Sequence, residues 1–496
     1  MKEITYKSTR GGEENVSASL AILKGLADDG GLFMPNVIPK FDFNIKDLIG
    51  KSYKEVAYEI MKLFFTDFTK EELQSCIENA YDSKFDTEEI VPLVKADNAY
   101  YLELFHGNTI AFKDMALSIL PHLMTTVAKK NGLDKKIVIL TATSGDTGKA
   151  AMAGFADIKN TAIIVFYPKG GVSEFQRLQM ITQKGNNTHV VAVHGNFDDA
   201  QTGVKNIFND KAFENELNSK GIWLSSANSI NIGRLVPQIV YYVYGYVKLL
   251  EENEIAQNEE INVCVPTGNF GNILAAKFAK LMGLPIKKLI CASNENKVLY
   301  DFFKTGRYDK NRDFILTTSP SMDILISSNL ERLIYLSCDM DSVKTLELMK
   351  GLAQNGFYEI SDKMKEFMSD FEGGYATETE NFKAIRKLYE DTGYVIDTHT
   401  GVAFCVYEKY RKESNDKTKT IIASTASPYK FSVSVMKAIS KENLSLGEWE
   451  SIDLLEKSSN VEVPRAVNEV KNTKILHNLE CDIDNMKTTV AEILKI

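Results

Sequence analysis

Between residues 135 and 282 a short apolar run is repeatedly followed by a helical segment: KKIVILTA then KAAMAGFA, TAIIVFYP then EFQRLQMITQ, HVVAVHG then DDAQTGVKNIF, and INVCVPT then NILAAKFAKLM. Parallel strands need a long crossover, usually a helix, so this alternation predicts an α/β fold with a largely parallel sheet. The pattern holds from Leu102 to about Ser440, with one lapse. Residues 302–392, including GLAQNGFYEISDKMKEFMSDF, read as a charged helical surface insertion rather than a sheet unit, and TKTIIAST resumes the strand pattern. Upstream, ASLAILKGLADDGGLFMP reads as a helix stopped at Gly30-Gly31 and KEVAYEIMKLFF as a second amphipathic helix, which makes residues 1–95 a mainly helical N-terminal domain. The expected division continues with a first α/β domain over 96–255 and a second over 256–496. The last forty residues read as a polar segment and a terminal helix, and no chemistry is assigned to them.

Composition limits the function. A chain of 496 residues, 44% hydrophobic and 25% charged, exceeds one ordinary core. Its 58 Lys and Arg against 67 Asp and Glu leave a net charge of −9. Nucleic acid is therefore not an expected partner. No leader-like h-region follows Met1 and no stretch supplies the roughly 20 apolar residues of a membrane span, so a soluble, cytoplasmic protein is expected, with no membrane partner. The six cysteines and six histidines are scattered without CxxC or HExxH spacing, and no metal site is expected.

In a parallel sheet the chemistry sits in the loops that follow the strands. The run Thr267, Gly268, Asn269, Phe270, Gly271, Asn272 joins a buried strand to a helix and offers backbone N–H groups to a phosphate; the alternative is an ordinary turn. It matches neither GxxxxGK[ST] nor GxGxxG, and TATSGDTGK, with Thr143 and Ala150 at the decisive positions, is not a Walker loop. Instead Ser144, Gly145, Asp146, Thr147 and Gly148 suit a small carboxylate at a helix N-terminus, or simply cap that helix. Lys113, flanked by Ala111, Phe112 and Met115, is either a snorkelling lysine or a desolvated amine able to form a Schiff base. Two anion loops and such an amine together point to pyridoxal phosphate.

The segments FHGNTIAFKDMA, TATSGDTGKAA, NSINIGR, PTGNFGN and TASPYKF, with the N-terminal YKSTRGGEENVSASLAILKGLADDGGLFMP, resemble the threonine synthase family of the long bacterial and fungal type over essentially the whole chain. That family belongs to the fold-type II pyridoxal-phosphate enzymes of the tryptophan synthase β class. The resemblance implies two open, twisted parallel-sheet domains with helices on both faces, beside the helical N-terminal domain. It makes Lys113 the catalytic Schiff-base lysine, Gly268, Asn269, Phe270, Gly271 and Asn272 the cofactor phosphate loop, and Thr425 the partner of the pyridine nitrogen. Ser144, Gly145, Asp146 and Thr147 would take the substrate carboxylate, and Asn228, Ser229, Asn231 and Arg234 the substrate phosphate. Thr425 and Asn228 taken alone also fit a helix cap and a turn.

The implied activity converts O-phospho-L-homoserine and water to L-threonine and phosphate, the last step of threonine biosynthesis, in a monomer or homodimer. Ser427 stands where the family often has His, and Ile232 where an aromatic is usual. His399, in DTHTGVAF, is either an ordering residue or a satisfied core histidine. Two rivals remain: a fold-type II serine or threonine dehydratase, which has no need of NSINIGR, and a non-catalytic phospholigand-binding protein of the threonine-synthase-like kind.

Overall fold

The computed structural model describes residues 3–143, 145–440, 445–459 and 461–496. Two sheets carry the fold. The smaller has five parallel strands in the order β15-β7-β6-β5-β8: β5 (Lys136–Ala142), β6 (Thr161–Pro168), β7 (Thr188–His194), β8 (Ile222–Ser225) and β15 (Leu479–Asp482). The larger has six in the order β13-β10-β9-β14-β4-β3: β3 (Leu93–Ala96), β4 (Ala99–Glu103), β9 (Ile261–Pro266), β10 (Ile286–Ser293), β13 (Phe371–Tyr375) and β14 (Thr420–Ser424). It is parallel except at one edge, where β3 and β4 form an antiparallel pair with Ala96 opposite Ala99. Two small antiparallel pairs complete the strands: β1 (Tyr6–Ser8) with β2 (Phe33–Pro35), and β11 (Arg307–Asp309) with β12 (Phe357–Glu359).

This topology corrects the expected division of the chain. The boundary at 255/256 does not separate the sheets, because β4 pairs with β14 in the larger one, while β15 from the C-terminal segment pairs with β7 in the smaller one. The 302–392 stretch is no mere surface insertion, since it supplies β13, the edge strand beside β10. Its FEGGY sequence gave little strand signal because both glycines are set by packing. A Cβ on Gly374 would collide with Val406, and one on Gly373 would press on Tyr300 and Phe303.

Helices cover both faces. The helix Ile232–Glu251 is buried nearly all round and forms the central spine, with the helices Tyr53–Met61 and Gly271–Met282 packed against it. An apolar helix on every side must lie inside the protein. Among the described residues, no helix is long and apolar enough to cross a membrane. The N-terminal helices share one continuous core with this spine and with the inner sheet faces, so they do not build a core of their own. Thr69 and Glu72 start the helix Lys70–Ala80 as a reciprocal capping box. The helix expected to run to Gly30 ends earlier, at Lys24: Gly25 adopts φ 72° and returns its N–H to Ala21 O. A left-handed glycine closes a helix wherever it first occurs, and here that is five residues upstream of the expected stop.

Candidate active site

The C-terminal ends of β4, β14, β9 and β5 converge, and the loops that follow them meet around Lys113. The Phe112 N–H donates to Thr425 O at 2.8 Å, and Ala111 bridges to Ala426, so the segment after β4 is laid onto the one after β14. The Lys113 amine then lies 3.3 Å from Asp146 Oδ2 and 3.0 Å from Ser321 Oγ. Burial pulls this amine below its ordinary range; Asp146 opposes that, and Lys430 and Arg234 reinforce it.

Asp146 opens the helix Asp146–Phe155. Its Oδ1 accepts from Gln176 Nε2 at 2.8 Å and pairs with Lys430 Nζ at 3.2 Å, while Oδ2 faces Lys113 and Ser321. Burial opposes its charge, but Lys430 and Lys113 hold the carboxyl well below the usual carboxylate range. An ionised side chain so engaged cannot itself take a second carboxylate. What remains for an anion is the backbone. Gly145 N and Gly148 N are tied back to Thr143 Oγ1, leaving the Asp146 and half-buried Thr147 N–H groups without an acceptor among the described residues. The expectation for Ser144 falls outside the described residues.

The loop after β9 is arranged differently. Phe270 sits at φ 66°, in the left-handed region, and its ring stacks against Phe303 and Phe371 in the core. That turn aims the N–H groups of Gly268, Asn269, Phe270, Gly271 and Asn272 away from any protein acceptor among the described residues, at the start of the helix Gly271–Met282. The side chains serve elsewhere: Asn272 Nδ2 donates to Pro266 O. The loop is held from outside by Ser327, whose hydroxyl donates to Gly268 O at 2.6 Å, and by Asn329, whose N and Nδ2 each donate to Asn269 O at 3.0 Å. Thr425 is buried, and its hydroxyl has no partner among the described residues.

In NSINIGR, the structure separates the residues expected to act together. Asn231 caps the helix Ile232–Glu251, with Oδ1 accepting from Gly233 N and Nδ2 donating to Ile22 O, so both ends of its side chain are in structural use. Asn228 is exposed and closes the turn by accepting from Asn231 N. Ser229 Oγ accepts from Asn329 Nδ2 at 3.4 Å. Arg234 differs from these. It is buried, its Nη1 donates to Ala227 O at 2.7 Å, and its Nε has no partner among the described residues. Burial draws its guanidinium down to about 10, which still leaves it charged at neutral pH. No carboxylate pairs with it among the described residues. A buried guanidinium with spare donors is built for an anion.

Sequence reasoning found one lysine here; among the described residues Lys430 joins it at Asp146, and Lys149 is buried on the same helix as Asp146. Lys430, inside the quoted PYKF, is 1% exposed and donates to Thr109 O, Gln179 Oε1 and Asp146. Lys149, donating to Gln183 Oε1, is drawn down to about 8 by burial. Ser321, Asn329 and Arg332 were also missed. The fully buried Arg332 donates to Phe33 O, Ile230 O and Asn329 Oδ1, joining the N-terminal segment, NSINIGR and the β9 loop. The run of small hydroxyl residues in TTSPSMDILISSN was the available signal. The two family departures are accommodated: Ser427 caps the turn Pro428–Phe431, and Ile232 is fully buried at its helix start.

Five consecutive N–H groups at a helix N-terminus and a Thr425 hydroxyl, all without partners among the described residues, together with a desolvated lysine fit a phosphorylated, aldehyde-bearing pyridine, so fold and site define a pyridoxal-phosphate-dependent enzyme of fold type II. Family models match in succession: threonine synthase N terminus over residues 5–81, pyridoxal-phosphate dependent enzyme over 86–425, and threonine synthase C-terminal over 400–474. The chain belongs to the threonine synthase family. It is 38% identical to the threonine synthase of Schizosaccharomyces pombe over 88% of this chain and 90% of that one. It is 42% identical to human threonine synthase-like 1 over 86% of this chain but 59% of that protein, so it spans only that part of such relatives. The crystal structure of PLP-bound threonine synthase from Brucella melitensis superposes with a TM-score of 0.87 at 35% identity, covering 99% of both chains.

Proposed function

We propose that this chain converts O-phospho-L-homoserine and water to L-threonine and phosphate, as a cytoplasmic monomer or homodimer. The observation that carries the reading is Arg234, a buried guanidinium whose charge reaches Lys113 and which has no carboxylate partner and a free Nε among the described residues. A chain acting on an unphosphorylated amino acid has no use for it, which argues against a dehydratase.

In this reading the N–H groups of residues 268–272 hold the cofactor phosphate, and the Thr425 hydroxyl meets the ring nitrogen. Pyridoxal phosphate, when bound, supplies an electron sink for carbanions next to the substrate's amino carbon. The Asp146 and Thr147 N–H groups take the substrate carboxylate and Arg234 its phosphate, which fixes the substrate carbon chain between the two anion sites. Lys113 then moves protons at Cα and Cβ. Its lowered basicity suits the task, because burial brings the amine closer to the range in which it can both accept a proton and return it. Asp146 keeps the amine within reach, and Lys430 keeps Asp146 ionised.

Incubation with pyridoxal phosphate and O-phospho-L-homoserine should release phosphate and form threonine in equal amounts. The resemblance to threonine synthase-like 1 sustains a second reading, a protein that binds the phospholigand without turning it over. Tight substrate binding with no phosphate release would establish that one.

A further inference from the structure

Ser321 lies on the turn Pro320–Met322, within the stretch expected to be a surface insertion, yet its hydroxyl touches the centre of the site. Its Oγ is 3.0 Å from Lys113 Nζ and 3.2 Å from Asp146 Oδ2. An ionised carboxylate only accepts hydrogen bonds, so the single Ser321 hydroxyl hydrogen goes to Asp146 and the oxygen's lone pairs face Lys113. The backbone of the same residue is fixed from behind. Ser321 N donates to His399 Nε2 at 3.1 Å, which leaves the ring proton on Nδ1, where it is donated to Asp397 Oδ2 at 2.7 Å. Asp397 is itself fully buried and caps the helix Thr398–Ser414. The Ser321 carbonyl, on the other side of the turn, lies against Gly268.

We propose that Ser321 is a positioning residue for Lys113: its hydroxyl, held as an acceptor by Asp146 and anchored through His399 and Asp397, keeps the amine directed at the cofactor pocket. The inference rests on Lys113 being the cofactor-binding amine. It gives His399 the ordering role that the sequence left open. The charged and titratable groups facing Lys113 are Asp146 from the helix Asp146–Phe155, Lys430 from the turn Pro428–Phe431, Arg234 from the helix Ile232–Glu251 and, behind Ser321, His399. None of these can replace a neutral acceptor at the Ser321 position. Asp146 already binds the amine, and Lys430 and Arg234 repel it.

The test uses the full chain loaded with pyridoxal phosphate. Ser321→Ala should keep the cofactor bound, and the midpoint of the pH titration of its visible absorbance should fall by about half a unit or more, because the protonated nitrogen loses an acceptor. Its kcat for phosphate release should drop on the order of tenfold, with KM within about twofold, as expected for one lost hydrogen bond to a charged group. Ser321→Thr, which restores the hydroxyl, should return both readings towards the parent. His399→Gln keeps an acceptor for the Ser321 N–H and should stay near the parent, whereas His399→Ala should move both readings in the Ser321→Ala direction. A Ser321→Ala titration midpoint and kcat equal to the parent's would overturn the proposal, as would an effect confined to KM. Visible absorbance that survives unchanged in Lys113→Ala would instead remove the Lys113 assignment itself, a failure seen without any Ser321 variant.

Discussion

The two phosphate-binding candidates, residues 268–272 and residues 228–234, solve one problem by opposite means. The first presents backbone only: five N–H groups without acceptors among the described residues, a helix N-terminus behind them, and side chains turned into the core or the flanking loops. The second presents one side chain, Arg234, while the other residues of the motif hold the loop in place. A backbone cradle is rigid and indifferent to side-chain identity except where a Cβ would intrude, which suits a resident cofactor. A guanidinium brings a full charge and a fork of donors, which suits a dianion that arrives with substrate and leaves as product. The loops are joined by Asn329, bonded to Asn269 O on one side and Ser229 on the other, with Arg332 behind it.

The division of labour breaks most sharply at Arg234. Arg234→Ala should lower kcat/KM for phosphate release by roughly a hundredfold to several thousandfold, since a buried charge-assisted pair is worth about 3–5 kcal/mol, and should leave cofactor absorbance intact. Loss of cofactor in this variant would mean that the two loops had been given each other's ligand. Next comes a contrast within the cradle. A methyl on Gly268 would run into the Ser321 carbonyl oxygen, whereas one on Gly271 first meets Asn329 Nδ2 at 3.5 Å. Gly268→Ala should therefore weaken cofactor binding about tenfold or more, and Gly271→Ala only a few-fold, in equilibrium dialysis. Equal losses would show that the glycines serve chain flexibility rather than close approach.

Asn329→Ala should affect both loops at once, each by about 1 kcal/mol, so the cofactor Kd and the substrate KM should rise together. A change in one alone would uncouple them. The smallest functional effect is expected at Asn231. Asn231→Ala removes a helix cap and the bond to Ile22 O, so urea unfolding should report a loss of about 1–2 kcal/mol while KM moves little. A large KM change with unaltered stability would return Asn231 to the substrate.

The sequence by itself determined the class of fold and the parts of the site that follow from local rules. Strand and helix periods marked β5, β6, β7, β9 and β14, and a glycine-bearing turn between a buried strand and a helix marked the 268–272 cradle, because such features depend on neighbours a few residues away. It also picked out Lys113 from its flanking residues, and Arg234 through the resemblance of NSINIGR to the threonine synthase family. The tertiary structure alone decided the rest. Which sheet β4 and β15 join depends on pairings more than 280 residues apart in the chain, which no periodicity encodes. The resemblance named Asn231 a phosphate ligand and the helix-start loop made Asp146 part of a carboxylate site, and only contact with Ile22 O and Lys430 shows their side chains already in use. Ser321, Asn329 and Arg332 reach the site from a stretch that lacks strand alternation, since their positions are fixed by hydrogen bonds to His399, Asn269 and Phe33 rather than by any pattern of their own. A side chain's chemistry is written in the sequence, but whether it is left free for a ligand depends on partners that only folding brings into contact.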